Sequence, residues 1–254
     1  MKNIKRFSII MVVHNGKKLI NKALKSLIIN LESNDELILI DNKSTDGTLN
    51  FVKKILKNKI NYTIVKLVKN LGVTKGRNIG LKKANGKFIT FLDYDDYFPK
   101  NRLNNHLKIF FKYKKVDVVK GYVKFIFTNK KLLKLYKKNY LYNQHKTFTI
   151  INKNPVNLGA LSFRNKIFYK EKFDNKLKYN EDTDLSIKLT MLNYKFYTNK
   201  KVSLFYRIHG NNMTLNRKYP VNLKNPFHSQ IMEDRKTILK SIFTNFKKKK
   251  QLVN

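Results

Sequence analysis

The chain has no cysteine among its 254 residues, which excludes disulfide scaffolds, thiolate zinc sites and cysteine nucleophiles. Long apolar runs are absent too: nothing approaches the roughly 20 residues that a membrane-spanning helix needs. Acidic residues are scarce, 16 Asp and Glu against 55 Lys and Arg, giving a formal net charge of +39. That charge invites a nucleic-acid or anionic-membrane reading. The excess is spread along the whole chain, however, and it accompanies abundant Asn, Ile, Phe and Tyr, which like Lys have codons rich in A and T. A nucleic-acid reader would need clustered Lys and Arg with exposed aromatics and a recognised motif, and neither is present, so charge alone does not argue for a specific nucleic-acid partner. There is no internal repeat and no Gly/Ser linker, and nothing specifies an oligomeric state.

What is present is enough apolar content, 42%, to bury a sizeable core in one large α/β domain or two small ones. The start imitates a signal peptide, with a basic head before residues 7–13 (FSIIMVV). That run is only seven residues long and no small-residue cleavage pattern follows, so it is expected to be a buried first strand. Apolar β-branched runs then alternate with helical patterns, the signature of βαβ units feeding a parallel sheet. Strands are expected at 36–40, 62–68 and 88–92. Helices are expected around Leu19, Ala23, Leu27 and Ile28, around Phe51, Val52, Ile55 and Leu56, and over 75–84.

The scarce carboxylates are not scattered evenly. FLDYDDYFP, residues 91–99, places Asp93, Asp95 and Asp96 together just past the fourth apolar run. Open parallel sheets bind ligands beyond the carboxyl ends of their strands, and His14, Asp41, Asn70 and this acidic cluster all follow strand ends. Hard cations such as Mg²⁺ and Mn²⁺ take carboxylate oxygens. The alternative is an acidic turn capping a helix that starts near Asn101. For Asp41 the alternative is an Asx-turn, and Asp46, before Gly47, is expected to cap the next helix.

The second half is less regular. Residues 117–127 read as a strand pair interrupted at Gly121, 129–154 as a polar, Tyr- and Lys-rich loop, 158–164 and 202–208 as strands, and 182–192 as a helix. After Pro226, the residues Ile231, Ile238, Leu239, Ile242, Phe243 and Phe246 form a helical stripe running into four lysines at 247–250. Such a stripe either packs on the domain or inserts at an anionic membrane surface.

The ordered motifs FSIIMVVHN, ILIDNKSTDGT, NLGVTKGRNIGLKKANGKFITFLDYDD, NEDTDLSIKL and YRIHGNNMT, spread over residues 7–215, resemble a family 2 glycosyltransferase of the GT-A fold. The resemblance implies an α/β architecture, a Rossmann-like, mostly parallel sheet flanked by helices. Residues 1–115 would form the nucleotide-sugar half, 116–217 the acceptor-side half of the same domain, and 218–254 a basic helical tail. It further implies an inverting transfer from a nucleotide sugar, UDP being the expected nucleotide, to a hydroxyl of a surface glycan or lipid-linked saccharide. The metal would be Mn²⁺ or Mg²⁺.

By the same resemblance Asp95 and Asp96 stand nearest the metal, although the D-x-D motif fits two registers here, and Asp93 supports them or reaches the ribose. His209 is expected at the metal or diphosphate. Val13, His14 and Asn15 would flank the nucleotide, Asp41 would accept from the base, and Lys75 and Arg77 would approach the phosphates or form a solvated basic face. Asp182 is the implied general base and Glu181 its neighbour orienting the acceptor, while Asp184 serves the helix N-terminus. Lys172 stands where the family often has glycine, a departure on the acceptor side. A nucleotidyltransferase on a similar sheet is the rival enzyme reading. The expected location is the cytoplasm, with room for peripheral contact with an anionic membrane on its cytoplasmic face.

Overall fold

The computed structural model describes residues 6–128, 157–177, 181–209 and 212. They fold as β1 (Phe7–Val13), α1 (Ile20–Asn30), β2 (Glu36–Asp41), α2 (Thr48–Leu56), β3 (Tyr62–Lys66), α3 (Val73–Lys83), β4 (Phe88–Phe91), α4 (Arg102–Lys112) and β5 (Val118–Phe127), followed by a 3-10 turn (Leu158–Ala160), β6 (Leu161–Arg164), α5 (Ile167–Lys170), α6 (Glu181–Met191) and β7 (Phe196–Ile208). The seven strands make one sheet in the order β3-β2-β1-β4-β6-β5-β7. β1 pairs in parallel with β2 and β4, and β2 with β3. β6 runs antiparallel to both β4 and β5, and β5 pairs in parallel with β7. The carboxyl ends of β1, β2, β4 and β7 therefore share one edge.

The first strands read as unbroken apolar runs because both faces of the sheet are covered. Phe7, Ile9, Met11 and Val13 of β1 pack with α1, α2 and α4 on one side. Ile10 and Val12 face the other side, in a cluster that includes Leu81 of α3, Phe168 of α5, and Leu185 and Leu189 of α6. Alternate side chains point to opposite faces of a strand, so one seven-residue run serves two cores. α3 lies close on β1 because its inward positions are glycines. A Cβ on Gly76 would meet Val12 Cγ1 at 2.8 Å, and one on Gly80 would meet Ile10 Cγ2 at 2.5 Å.

Several expectations are corrected. Of the expected strand pair at 117–127, residues 118–127 form one strand, with register shifts between Lys120 and Val123 against β7. Gly121 marks this irregularity, since a Cβ there would fall 1.7 Å from Ser203 Oγ. The last strand begins at Phe196, and the expected strand at 158–160 is a 3-10 turn in which Asn157 Oδ1 accepts from Gly159 N–H. β3 ends at Lys66. The 129–154 loop and the C-terminal stripe lie outside the described residues. The chain divides into two compact units, Met1–Ile208 and His209–Asn254, and the sheet of the first is continuous across the expected 115/116 division of roles.

Candidate active site at the carboxyl edge of the sheet

At the end of β2, Asp41 is fully buried. Its Oδ1 accepts from Ser44 N–H at 3.1 Å, making the turn, while its Oδ2 has no hydrogen-bond partner among the described residues. A buried carboxylate oxygen without a donor is costly, so this atom suits a ligand N–H. The neighbouring loops are tied to one another. Asn42 N–H donates to Val13 O at 2.8 Å, Asn42 Nδ2 donates to Asn70 Oδ1 at 2.8 Å, and Asn42 Oδ1 accepts from Leu71 N–H at 2.7 Å. His14 is exposed, with Nδ1 2.9 Å from Asn42 O. Asn15, in a left-handed conformation, accepts from Thr45 N–H at 2.8 Å. Asp46 takes the expected helix-end role, accepting from Thr48 N–H at 3.0 Å and also from Lys17 N–H at 3.0 Å.

The acidic turn does not cap α4, whose N-cap is Asn101 without a side-chain cap bond. Its three carboxylates have different surroundings. Asp96 is buried and its Oδ1 accepts from Arg207 N–H at 2.9 Å; burial, then Asp95 and Asp93, push its carboxyl well above the usual range. Asp95 is half-buried, and its carbonyl accepts from Arg207 Nε. Arg207 also donates from Nη2 to Leu19 O at 2.7 Å. The turn is thus fastened to the end of β7, a contact reinforced by reciprocal backbone bonds between Tyr97 and Phe205 (3.2 and 3.0 Å). The sequence signals His209 at this point and gives no sign of Arg207, two residues earlier. His209 opens the second unit, where its N–H donates to Asn212 Oδ1 at 2.7 Å.

Asp93 points toward α3. Arg77 Nη2 donates to Asp93 Oδ1 at 2.8 Å and Arg77 Nη1 donates to Glu181 Oε1. Arg77, expected at the nucleotide, is therefore a buried bridge between the acidic turn and α6. Burial opposes its charge, but Asp93, Glu181 and Asp182 raise its pKa on balance. Asp93 is itself raised, by burial first, against the pull of Arg77. Its side chain keeps 40% of its surface in solvent, so water screens part of that push. Lys75, two residues earlier on the helix, is exposed.

Glu181 and Asp182 open α6, with Asp184 also in its first turn. Burial, then the charge of Glu181, push the Asp182 carboxyl up to about 7, opposed by Arg77 and by the Thr183 N–H that donates to its Oδ1 at 2.7 Å. A carboxyl poised near neutrality beside an acidic turn matches a general base. Thr74 and Asn78, for which the sequence alone suggests no role, act on the same stretch of chain as Arg77. Thr74 Oγ1 donates to Leu177 O (2.9 Å), and Asn78 exchanges bonds with the Phe173 backbone (2.8 and 3.2 Å). The spacing of Thr74, Arg77 and Asn78, three and four residues apart around inward glycines, was the available signal.

Among the described residues, no group of three or more His, Asp or Glu side chains could hold a metal. The donor set that remains, Asp95 with Asp96, still fits a hard cation, because Mg²⁺ commonly binds through one or two carboxylates plus substrate phosphates.

Residues 8–175 match the family model described as Glycosyl transferase family 2. The chain belongs to that family. Its mostly parallel sheet flanked by helices matches the GT-A fold seen in related structures. One is Staphylococcus aureus TarS 1-349 in complex with UDP (TM-score 0.63, 25% identity, covering 81% of this chain and 61% of that one). Another is a Pyrobaculum calidifontis mannosyltransferase in complex with GDP-Man and Mn²⁺ (TM-score 0.64, 18% identity, 82% and 58%), where the likeness is one of fold alone. By sequence, an uncharacterized glycosyltransferase of Haemophilus influenzae is 32% identical over 139 residues, 51% of this chain and 56% of the relative. The poly(ribitol-phosphate) beta-N-acetylglucosaminyltransferase TarS of Staphylococcus aureus is 38% identical over 103 residues, 39% of this chain and 18% of the relative. The family 2 chain thus aligns with about half the length of the first and less than a fifth of the second.

Proposed function

We propose that this family 2 chain transfers a sugar, with inversion, from a UDP-sugar to a hydroxyl of a surface glycan or lipid-linked saccharide. The observation that carries this reading is the linkage of Asp182, a carboxyl near neutrality, through Glu181 and Arg77 to the acidic turn at the sheet edge. Asp41 Oδ2 would accept from the uracil N–H, and the backbone of Val13 and His14 would flank the nucleotide. Asp182 would take the proton of the acceptor hydroxyl as its oxygen bonds to the anomeric carbon. The bond from that carbon to the diphosphate breaks on the opposite face, and the electron pair leaves with the diphosphate. Asp95 and Asp96 would hold Mn²⁺ or Mg²⁺, which would supply charge neutralisation to the leaving diphosphate.

The choice of acceptor draws on relatives. TarS is named for poly(ribitol-phosphate), and an Escherichia coli relative, 33% identical over 122 residues, is named for transfer from UDP-Glc to alpha-D-GlcNAc-diphosphoundecaprenol. Both acceptors carry phosphate, which suits a chain of net charge +39. Among the described residues no helix is long and apolar enough to cross a membrane. A peripheral seat on anionic lipid through the C-terminal stripe would bring a lipid-linked acceptor within reach. Salt-sensitive sedimentation with anionic but not neutral vesicles, lost on truncation after Asn225, tests that seat.

The decisive assay for the reaction is a panel of nucleotide sugars with Mn²⁺ or chelator, followed for nucleoside diphosphate release with and without phosphate-bearing glycan acceptors. Metal-dependent release from one UDP-sugar, stimulated by an acceptor, is expected. No release from any member of the panel contradicts the reading.

A further inference from the structure

We infer that Arg77 is a positioning residue that locks the helix carrying the base to the donor-side acidic turn, rather than a contact to the donor nucleotide. The inference rests on the reading of Asp182 as the base and extends it to what holds that base in place. Three observations carry it. Both terminal nitrogens of the guanidinium are engaged, one on Asp93 and one on Glu181, and its side chain is only 7% exposed. Its Cζ also lies over the Phe173 ring, 5.8 Å from the centroid. Finally, the flanking residues on α3 grip the same stretch of chain: Thr74 holds Leu177, and Asn78 holds Phe173 and, at 2.9 Å, Asn175.

One face of α3 therefore organises residues 173–177 and the first turn of α6, and α3 is itself fixed on β1 by the close approach at Gly76 and Gly80. A planar fork can join two carboxylates in a fixed geometry, which a flexible ammonium cannot. Misplacing a reacting group by about 1 Å can cost on the order of 10²-fold in rate. Losing the fork should accordingly impair turnover and leave nucleotide binding alone.

The test uses Arg77→Gln, Arg77→Lys, Glu181→Gln and the Arg77→Gln/Glu181→Gln double variant of the full chain. UDP affinity in Mn²⁺, donor KM, kcat for transfer and hydrogen exchange are measured on each. For Arg77→Gln, UDP affinity and donor KM should stay within about threefold while kcat falls by roughly 10- to 100-fold. Arg77→Lys should recover part of the loss, and the double variant should lose no more than the worse single one, since the two residues act as a unit. Exchange should accelerate over residues 173–177 and 181–186 with α1 unchanged. UDP affinity falling in step with kcat, or losses that multiply, would overturn the inference. If the wild-type chain transfers no sugar, the proposed reaction fails on its own, and exchange still decides: local acceleration in Arg77→Gln, or in Arg77→Lys should the former not fold, supports the bracket, and uniform or absent acceleration contradicts it.

Discussion

The two sides of the sheet edge are built by different means. On the β1–β2 side the loops fasten to each other: Asn42, just past β2, joins the end of β1 to the loop between β3 and α3, and Asp46 joins the loop before α1 to the start of α2. On the side of α6 and β7 the chain is held by residues of α3 and α4. Arg77, Thr74 and Asn78 hold the approach to α6, and buried His106 of α4 reaches Ser162 of β6 and Ser203 of β7 (3.0 and 2.8 Å). On the proposed reading the first region serves as a nucleotide cradle, and the second as a catalytic flank held in place by α3 and α4.

Substitutions that separate binding from chemistry sharpen that contrast. The largest effect is expected at Asp182. Asp182→Asn should lower the transfer rate by about 10² to 10⁴, the usual range for general acid–base catalysis, as measured by steady-state product formation. Asp95→Asn should act on the cradle, weakening UDP binding in Mn²⁺ by about 10- to 100-fold, a typical cost of disturbing a metal's ligand environment, and leaving binding in chelator unchanged. Thermal shift with and without metal reads this directly. Asp41→Asn should be milder, about 1.5 kcal/mol or roughly tenfold in uridine-nucleotide affinity, with little change for nucleotides that present no imide N–H. Comparing UDP with CDP gives the answer.

The smallest effect concerns stability and pH. The Asp182 carboxyl is raised from 3.8 to about 7, so the folded chain holds that proton more tightly than the unfolded one. Its favourable contribution is complete in acid and is lost as pH rises toward about 7. Asp182→Asn should therefore raise Tm by a few degrees near pH 8, with the gain shrinking toward pH 5. The same shift predicts that transfer rises as pH passes through about 7, when the base ionises, although Arg77, Glu181 and Asp93 all face this group and a bound metal would lower the midpoint.

Much of the cradle was legible in the sequence because its signals are local. Apolar runs ending in Asp41 and in Asp93, Asp95 and Asp96 gave strand ends, and the sheet then placed them on one edge. Asp46 was readable as a helix-end acceptor for the same reason. The flank was less legible because its contacts span long separations. The Arg77–Glu181 pair is 104 residues apart and Arg207–Asp96 is 111, and no periodicity encodes either. Gly121 misled for a related reason: it was read as a break between two strands, whereas it allows β5 to pass close to Ser203. Lys172, standing where the family often has glycine, leaves the adjacent Phe173 gripped by Asn78 on both its backbone groups.

The contrast between cradle and flank is tested most directly by calorimetric titration of UDP in Mn²⁺ into the wild-type chain, Asp95→Asn and Asp182→Asn side by side. Binding to Asp182→Asn within about threefold of wild type, with Asp95→Asn weakened by about tenfold or more, is the predicted result. Equal loss of binding in both variants would place Asp182 in the donor site or the fold and contradict the account.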